Sequence, residues 1–293
     1  MTHIPFDLRD GFIWYNGEFV PWKEAKIHIL NHGLHYASCV FEGERVYNGK
    51  IFKCNEHSLR LHKSAELLGF KIDYAPQELD RLKQEMVKKQ NVVDGYVRCF
   101  AWRGSEYMAI SARHNKIHTA MAAWPWPPYY SEEARKAGLK LKFAGYKRPS
   151  PETAPIAAKA AGLYMICTIS KHEAENEGYN DALMLDYRGF LAESTGANLF
   201  LVMKNGELHT PLPDCFLNGI TRQTVLELAR KAGIKTIERH IKPEELADAA
   251  DVFLTGSAAE ITRVSAIEDK YFYPEAHKIT WQLMDAYSKL VRS

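Results

Sequence analysis

Two Asn-Gly dipeptides, each set between apolar runs, oblige the first third of this chain to double back on itself twice. FIWYNGEFV carries Asn16-Gly17 and VYNGKIF carries Asn48-Gly49 where a two-residue loop would form. Both residues of such a loop need positive φ, which asparagine tolerates and glycine adopts freely. Asn55 is placed to cap a helix running to about Gly69, and Pro76 to open a second helix, PQELDRLKQEMVKKQ. YVRCFAW and IHTAMAAW read as two further strands.

WPWPPYY, residues 124–130, interrupts this pattern. Three prolines forbid a helix or a central strand. The stretch reads as a linker that divides the chain into a small N-terminal α/β lobe (1–123), the linker itself (124–133) and a larger C-terminal lobe (134–293). Its two tryptophans and two tyrosines either wall a cleft or pack where the lobes meet. Beyond it, LKLKFAGY, DALMLD, FLAES, NLFLVM, KTIERHI and DVFLTG are strand-like. Residues 162–178 and 278–291 read as helices, KPEELADA as a short one, and ITRQTVLELARKAG as an amphipathic helix closed by Gly233. The fold class is α+β.

Bulk properties exclude several function classes. The 293 residues are 46% hydrophobic and 25% charged, as in a soluble globular chain, and the net charge of +2 argues against nucleic-acid or polybasic membrane surfaces. No apolar run approaches the roughly 20 residues that span a bilayer, and MTHIPFDLRDG has neither the basic nor the apolar region of a signal peptide. Five scattered cysteines without a CxxC pair speak against a disulfide framework or structural zinc, and for a reducing, cytoplasmic setting. His28, His32 and His35 would share a helix face, but Gly33 and the poor helix character of HILNHGLHY leave no metal site expected.

The chemistry centres on PIAAKAAGLYMIC, where Lys159 has no acid within six residues on either side. Such a lysine ordinarily snorkels to water along its apolar stem. The other reading is a desolvated amine, whose lowered pKa frees a nucleophile for Schiff-base chemistry. Three other stretches bear on the choice. NGITRQT sets Gly219 before a helix start, where the N–H groups of Ile220 and Thr221 and the Thr221 hydroxyl would face an anion, although an ordinary capped helix looks the same. LTGSAAE runs a strand into small residues, Ser257 to Ala259, whose backbone can reach a ligand or simply turn. LAESTGAN ends an apolar strand on Glu193, placed either to face solvent or to hold a ring nitrogen protonated. An amine, an anion cup and an acid together describe the needs of pyridoxal 5′-phosphate (PLP).

HGLHYASCVFEGERVY, EHSLRLHKSAELLG, AAKAAGLYM, GYNDALMLDYRGFLAESTGANLF, FLNGITRQTVLELA and FLTGSAAEIT together resemble the fold-type IV PLP enzymes, or class IV aminotransferases. The resemblance covers nearly the whole chain and is closest to the branched-chain amino acid aminotransferases. It implies a small α/β lobe, a larger pseudo-barrel lobe, and a homodimer or dimer-based oligomer. The activity implied is transfer of the amino group between L-leucine, isoleucine or valine and 2-oxoglutarate, with amino acids and 2-oxo acids as small-molecule partners.

By the same resemblance Lys159 forms the Schiff base and moves the proton, Glu193 pairs with the pyridine nitrogen, and Tyr164 lies near the 3′ oxygen. Arg60, the Ile220 and Thr221 backbone, and the Thr221 and Ser257 hydroxyls hold the phosphate. Ala258 and Ala259 complete a turn that donates to the substrate carboxylate. Tyr36 and Phe41 are pocket walls, Tyr36 serving the neighbouring subunit, and Arg98 and Trp126 fall at pocket positions. Two departures stand out: Ser257 replaces a frequent threonine, and Ala197 stands where many relatives carry an acid. The loop 104–115 departs most, with Met108, Ile110 and Arg113 placed to alter side-chain choice. D-amino acid or (R)-amine transamination therefore stays open, and a fold-type IV lyase more distantly.

Overall fold

The computed structural model describes residues 4–127 and 137–293, so Tyr129 and Tyr130 of the proline-rich stretch lie outside the described residues. Two compact units emerge. One holds the chain up to Pro127 together with Ala158–Gly162, and the other holds the rest.

In the first unit, strand β1 (Phe12–Tyr15) turns at Asn16-Gly17, with φ of +48° and +103°, into β2 (Glu18–Pro21). A single helical turn, α1 (His32–His35), precedes β3 (Cys39–Tyr47), which turns at Asn48-Gly49 into β4 (Lys50–Ile51). Helices α2 (Cys54–Leu67) and α3 (Pro76–Lys89) lead to β5 (Gly95–Arg103) and β6 (Ile117–Pro125). Both Asn-Gly hairpins form as the dipeptides predict. The strands make one antiparallel sheet in the order β2-β1-β6-β5-β3-β4.

Two local expectations are corrected. Helix α2 starts at Cys54 after Lys53 in the left-handed region, and Asn55 donates to Asp80 Oδ2 at 2.9 Å instead of capping. Strand β6 also enters the proline-rich stretch, with Trp124 and Pro125 opposite Tyr96 and Gly95. Pro125 is tolerated because it ends the strand, and β1 reaches β6 only at Ala120 and Met121.

Helices α2 and α3 cover one face of this sheet, where Trp14, Val40, Val46, Leu61, Leu79, Met86, Val97 and Met121 form a single apolar cluster. The same face of β3 carries Glu42 and Glu44, both fully buried. Glu44 takes Lys83 Nζ of α3 at 2.8 and 3.0 Å, and Lys83 is itself fully buried. Burial opposes the Lys83 charge, but the Glu44 carboxylate outweighs it and holds the ammonium above its ordinary range.

The second unit begins with β7 (Leu139–Phe143). A 3-10 turn, Ala161–Tyr164, runs into α4 (Met165–Asn176). Strands β8 (Asp181–Leu185), β9 (Leu191–Ser194), β10 (Asn198–Met203) and β11 (Leu208–Pro211) follow. Helix α5 (Ile220–Lys231), β12 (Thr236–Arg239) and a 3-10 segment, Pro243–Asp248, come next. Strands β13 (Ala249–Gly256), β14 (Glu260–Ile267) and β15 (Tyr271–Phe272) and helix α6 (Lys278–Arg292) complete the chain.

Six of these strands pair in the order β10-β13-β14-β7-β8-β9, and β9 returns to β10 through Glu193 and Asn198. The sheet thereby closes into the expected pseudo-barrel. Every ring strand contributes to one apolar cluster, including Leu141, Leu183, Leu191, Leu199, Leu254 and Val264, so the ring is filled by side chains.

Lys83→Met should destabilise the first unit by about 3–5 kcal/mol, because Glu44 would remain as an uncompensated buried charge. Urea unfolding checks this; a loss below about 1 kcal/mol would mean that Glu44 needs no partner.

Candidate active site

Residues 158–162 join the first unit because the Lys159 backbone is stitched into it on both sides. Its N–H donates to Ser64 Oγ of α2 at 2.9 Å, and its carbonyl accepts from the Phe41 N–H of β3 at 3.1 Å. Val40 and Ala160 form an antiparallel bridge alongside. The Lys159 Nζ lies 4.9 Å from the centre of the Phe41 ring. Burial first, and the Arg60 guanidinium second, lower the ammonium pKa from 10.5 to about 8 against the opposing Glu42 carboxylate. The Lys159 residue is half-buried, and the lowered pKa favours the desolvated reading over the snorkelling one.

Glu42 is the residue the sequence reading passes over. Its two oxygens take Arg60 Nε and Nη2, both at 2.7 Å, and His57 Nδ1 at 2.7 Å. Burial opposes its ionisation, but the Arg60 and His57 contacts outweigh this and hold the carboxyl well below its ordinary range. Glu42 therefore fixes where the Arg60 cation stands. The available signal was an acid alternating with apolar residues inside CVFEGERVY.

The other face of β3 and β5 brings together the expected pocket residues of this unit. The Arg98 guanidinium lies 4.6 Å from the Phe41 ring and 5.7 Å from Tyr96, and no carboxylate pairs with it among the described residues. Trp126 meets Tyr96 edge-on at 4.6 Å. A Cβ on Gly43 would come 1.7 Å from the Tyr96 hydroxyl, so glycine there makes room for that ring. Arg98 and Trp124 also line a groove of roughly 600 Å³ with Trp22 and Lys26. Tyr36 is 44% exposed and stacks on His32 at 4.6 Å. The loop 104–115 is tied by His32 Nε2 to Ala109 O at 3.0 Å and by Asn115 Nδ2 to Gly104 O and Tyr107 O. Met108 and Ile110 are exposed on that loop.

In the second unit Glu193 is buried at the seam of the strand ring. Asn198 Nδ2 donates to its Oε2 at 3.0 Å, and Arg148 Nε stands 3.4 Å from its Oε1. Arg148 is itself buried; burial opposes its charge, but Glu193, Cys167 and Tyr164 hold it above its ordinary value. A solvent-facing Glu193 is thus ruled out, and Arg148 and Asn198 are partners the sequence reading missed. Tyr164 ends the 3-10 turn before α4.

Gly219 is the N-cap of α5, and no side chain caps it. Ile220 and Thr221 follow, both buried, and the Thr221 hydroxyl makes no hydrogen bond among the described residues. Thr255, which pairs with Asn198 across β13 and β10, has a buried hydroxyl without a hydrogen-bond partner. Ser257, Ala258 and Ala259 form the turn of the β13–β14 hairpin. A helix start with unused N–H groups, orphaned hydroxyls and a dipole favouring negative charge suits a phosphate.

The family model for amino-transferase class IV matches residues 39–267. The chain is 39% identical over 294 residues, all of both chains, to a probable branched-chain-amino-acid aminotransferase of Rickettsia conorii. The fold is similar to that of the Escherichia coli branched-chain amino acid aminotransferase, with TM-score 0.93, 33% identity, and 97% and 95% of the two chains covered. A branched-chain amino acid aminotransferase from Thermobaculum terrenum, solved in its PLP form, gives TM-score 0.88 at 28% identity, again covering 97% and 95%.

In the cofactor-free protein, acylation of Lys159 followed by mass spectrometry should reach half its maximal rate near pH 8; a midpoint near 10.5 would mean a hydrated amine. The unfolded chain holds the extra proton between those two values, so this amine's cost is full below about pH 8 and fades as pH rises towards 10.5. Lys159→Met should accordingly raise the apoprotein's unfolding free energy at pH 7 and lose that advantage above the window.

Proposed function

The chain belongs to the class IV aminotransferases and is a transaminase, and from that premise we propose that it uses PLP to move the amino group between L-leucine, L-isoleucine or L-valine and 2-oxoglutarate. One observation carries the substrate reading. A cation, Arg98, packs on the aromatic wall of Phe41 and Tyr96, so one pocket offers apolar surface to an aliphatic chain and a guanidinium to a γ-carboxylate. The likeness to the Rickettsia conorii relative over the full chain supports it.

The residues fit the cofactor: a small apolar setting for the amine, a buried acid, and a helix start with orphaned hydroxyls beside it. Bound PLP supplies a pyridine ring that takes up the electron pair left by the substrate's α-proton. Lys159 would hold the cofactor's aldehyde carbon. Its Nζ would also take the proton from the substrate Cα and give one back; an amine pKa of about 8 suits both roles near neutrality. Glu193 would pair with the ring nitrogen, its carboxylate oxygens positioned by Arg148 and Asn198. The Ile220 and Thr221 N–H groups, the Thr221 and Ser257 hydroxyls and Arg60 hold the phosphate. Tyr164 serves the 3′ oxygen. The turn through Ala258 and Ala259 offers backbone donors to the substrate carboxylate, and Trp126 extends the apolar wall.

We also propose a homodimer or dimer-based oligomer in which Tyr36 serves a neighbouring site. Its exposure alongside Ile29 and Leu34, 74% and 64% exposed, supports this. No helix among the described residues is long and apolar enough to cross a membrane. A reducing, cytoplasmic setting is supported by five cysteines that are all free.

The holoenzyme's absorbance between 300 and 500 nm should convert on adding L-leucine and on adding L-glutamate; conversion only by D-alanine or (R)-1-phenylethylamine would move the substrate to those classes. Lys159→Ala should abolish turnover. Arg98→Met should lower kcat/KM for glutamate by about 10–100-fold, the worth of a charged hydrogen bond, and change that for leucine by less than about 3-fold. Equal losses on both substrates would refute the role of Arg98.

A further inference from the structure

Asn198 makes three hydrogen bonds in three directions. Its Nδ2 donates to Glu193 Oε2 at 3.0 Å and to the Leu217 carbonyl at 3.0 Å, and its Oδ1 accepts from the Gly219 N–H at 3.1 Å. The side chain is 4% exposed. Both amide hydrogens are used, and reversing the amide would set NH₂ against an N–H and oxygen against a carboxylate, so only one orientation satisfies the site.

Gly219 carries the second observation. Its φ of −63° and ψ of 140° suit any L-residue, so the backbone does not require glycine. The contact does: a Cβ there would fall 2.1 Å from Asn198 Oδ1 and 3.3 Å from its Cγ. Glycine is thus needed because the asparagine amide lies against the helix start, in addition to any approach by a ligand.

We propose that Asn198 is a positioning residue that couples Glu193 to the start of α5, so that a displacement at one is transmitted to the other. The proposal rests on the reading that Glu193 serves the ring nitrogen of PLP and that the α5 start serves its phosphate. A single rigid amide then sets the spacing between the acid and the anion cup. A substitution at the cup should be felt at the ring nitrogen even though Gly219 makes no hydrogen bond to Glu193.

The test is the ¹⁵N resonance of PLP labelled at its ring nitrogen, bound to the full-length holoenzyme, followed over pH. Gly219→Ala should push the Asn198 amide off Glu193 and shift the resonance towards neutral pyridine at lower pH than in the unaltered protein. Asn198→Ala should do the same, and the double variant should match Asn198→Ala alone, because the clash is gone. An unchanged resonance in Gly219→Ala with PLP bound, or additive shifts in the double variant, would overturn the coupling. If Gly219→Ala fails to fold while the double variant folds, the clash stands and the shift in Asn198→Ala decides the coupling. Failure of the underlying reading looks different: the protein would not bind PLP, or Glu193→Gln would leave the resonance where it was.

Discussion

Holding an amine beside a guanidinium is the constraint on which the proposed chemistry depends. Lys159 sits among alanines, and its backbone is locked to Phe41 and Ser64. The carboxylate that lowers the cost of that arrangement, Glu42, is committed to Arg60 and His57. Arg60 lowers the proton affinity of the Lys159 amine while Glu42 opposes it. The amine is therefore tuned by a balance of fixed charges on β3 and α2, not by burial alone.

The second unit reaches a similar end by closure. Its ring of strands is completed by one residue pair, Glu193 and Asn198. The same pair is bonded through its side chains, and Asn198 continues to the start of α5. The acid and the helix start are thus placed by the seam that closes the barrel. Fold and site share a register: a one-residue slip of β9 would turn Glu193 to the opposite face.

Much of this was legible in the sequence, because it is local or periodic. The Asn-Gly hairpins, the α5 helix with its Gly233 stop, and the strands of the meander each carry their signal within a few residues. Lys159, Glu193 and the Gly219–Thr221 stretch were found as separate signals whose chemistry matched. What escaped was the set of partners. Arg148 lies 45 positions before Glu193, and His57 lies 15 after Glu42, and only tertiary packing brings each pair together. Asn55 failed as a cap because Asp80, 25 residues on, offered its side chain a better partner. Gly219 was legible as a glycine before a helix, but the reason for it is an amide 21 residues away.

The central claim is that Lys159 is the residue that carries the cofactor. Borohydride reduction of the PLP-loaded protein, followed by digestion and mass spectrometry, tests it most directly. The account predicts a single phosphopyridoxyl group, on Lys159. A label on another lysine, or none on Lys159 at full PLP occupancy, would contradict it.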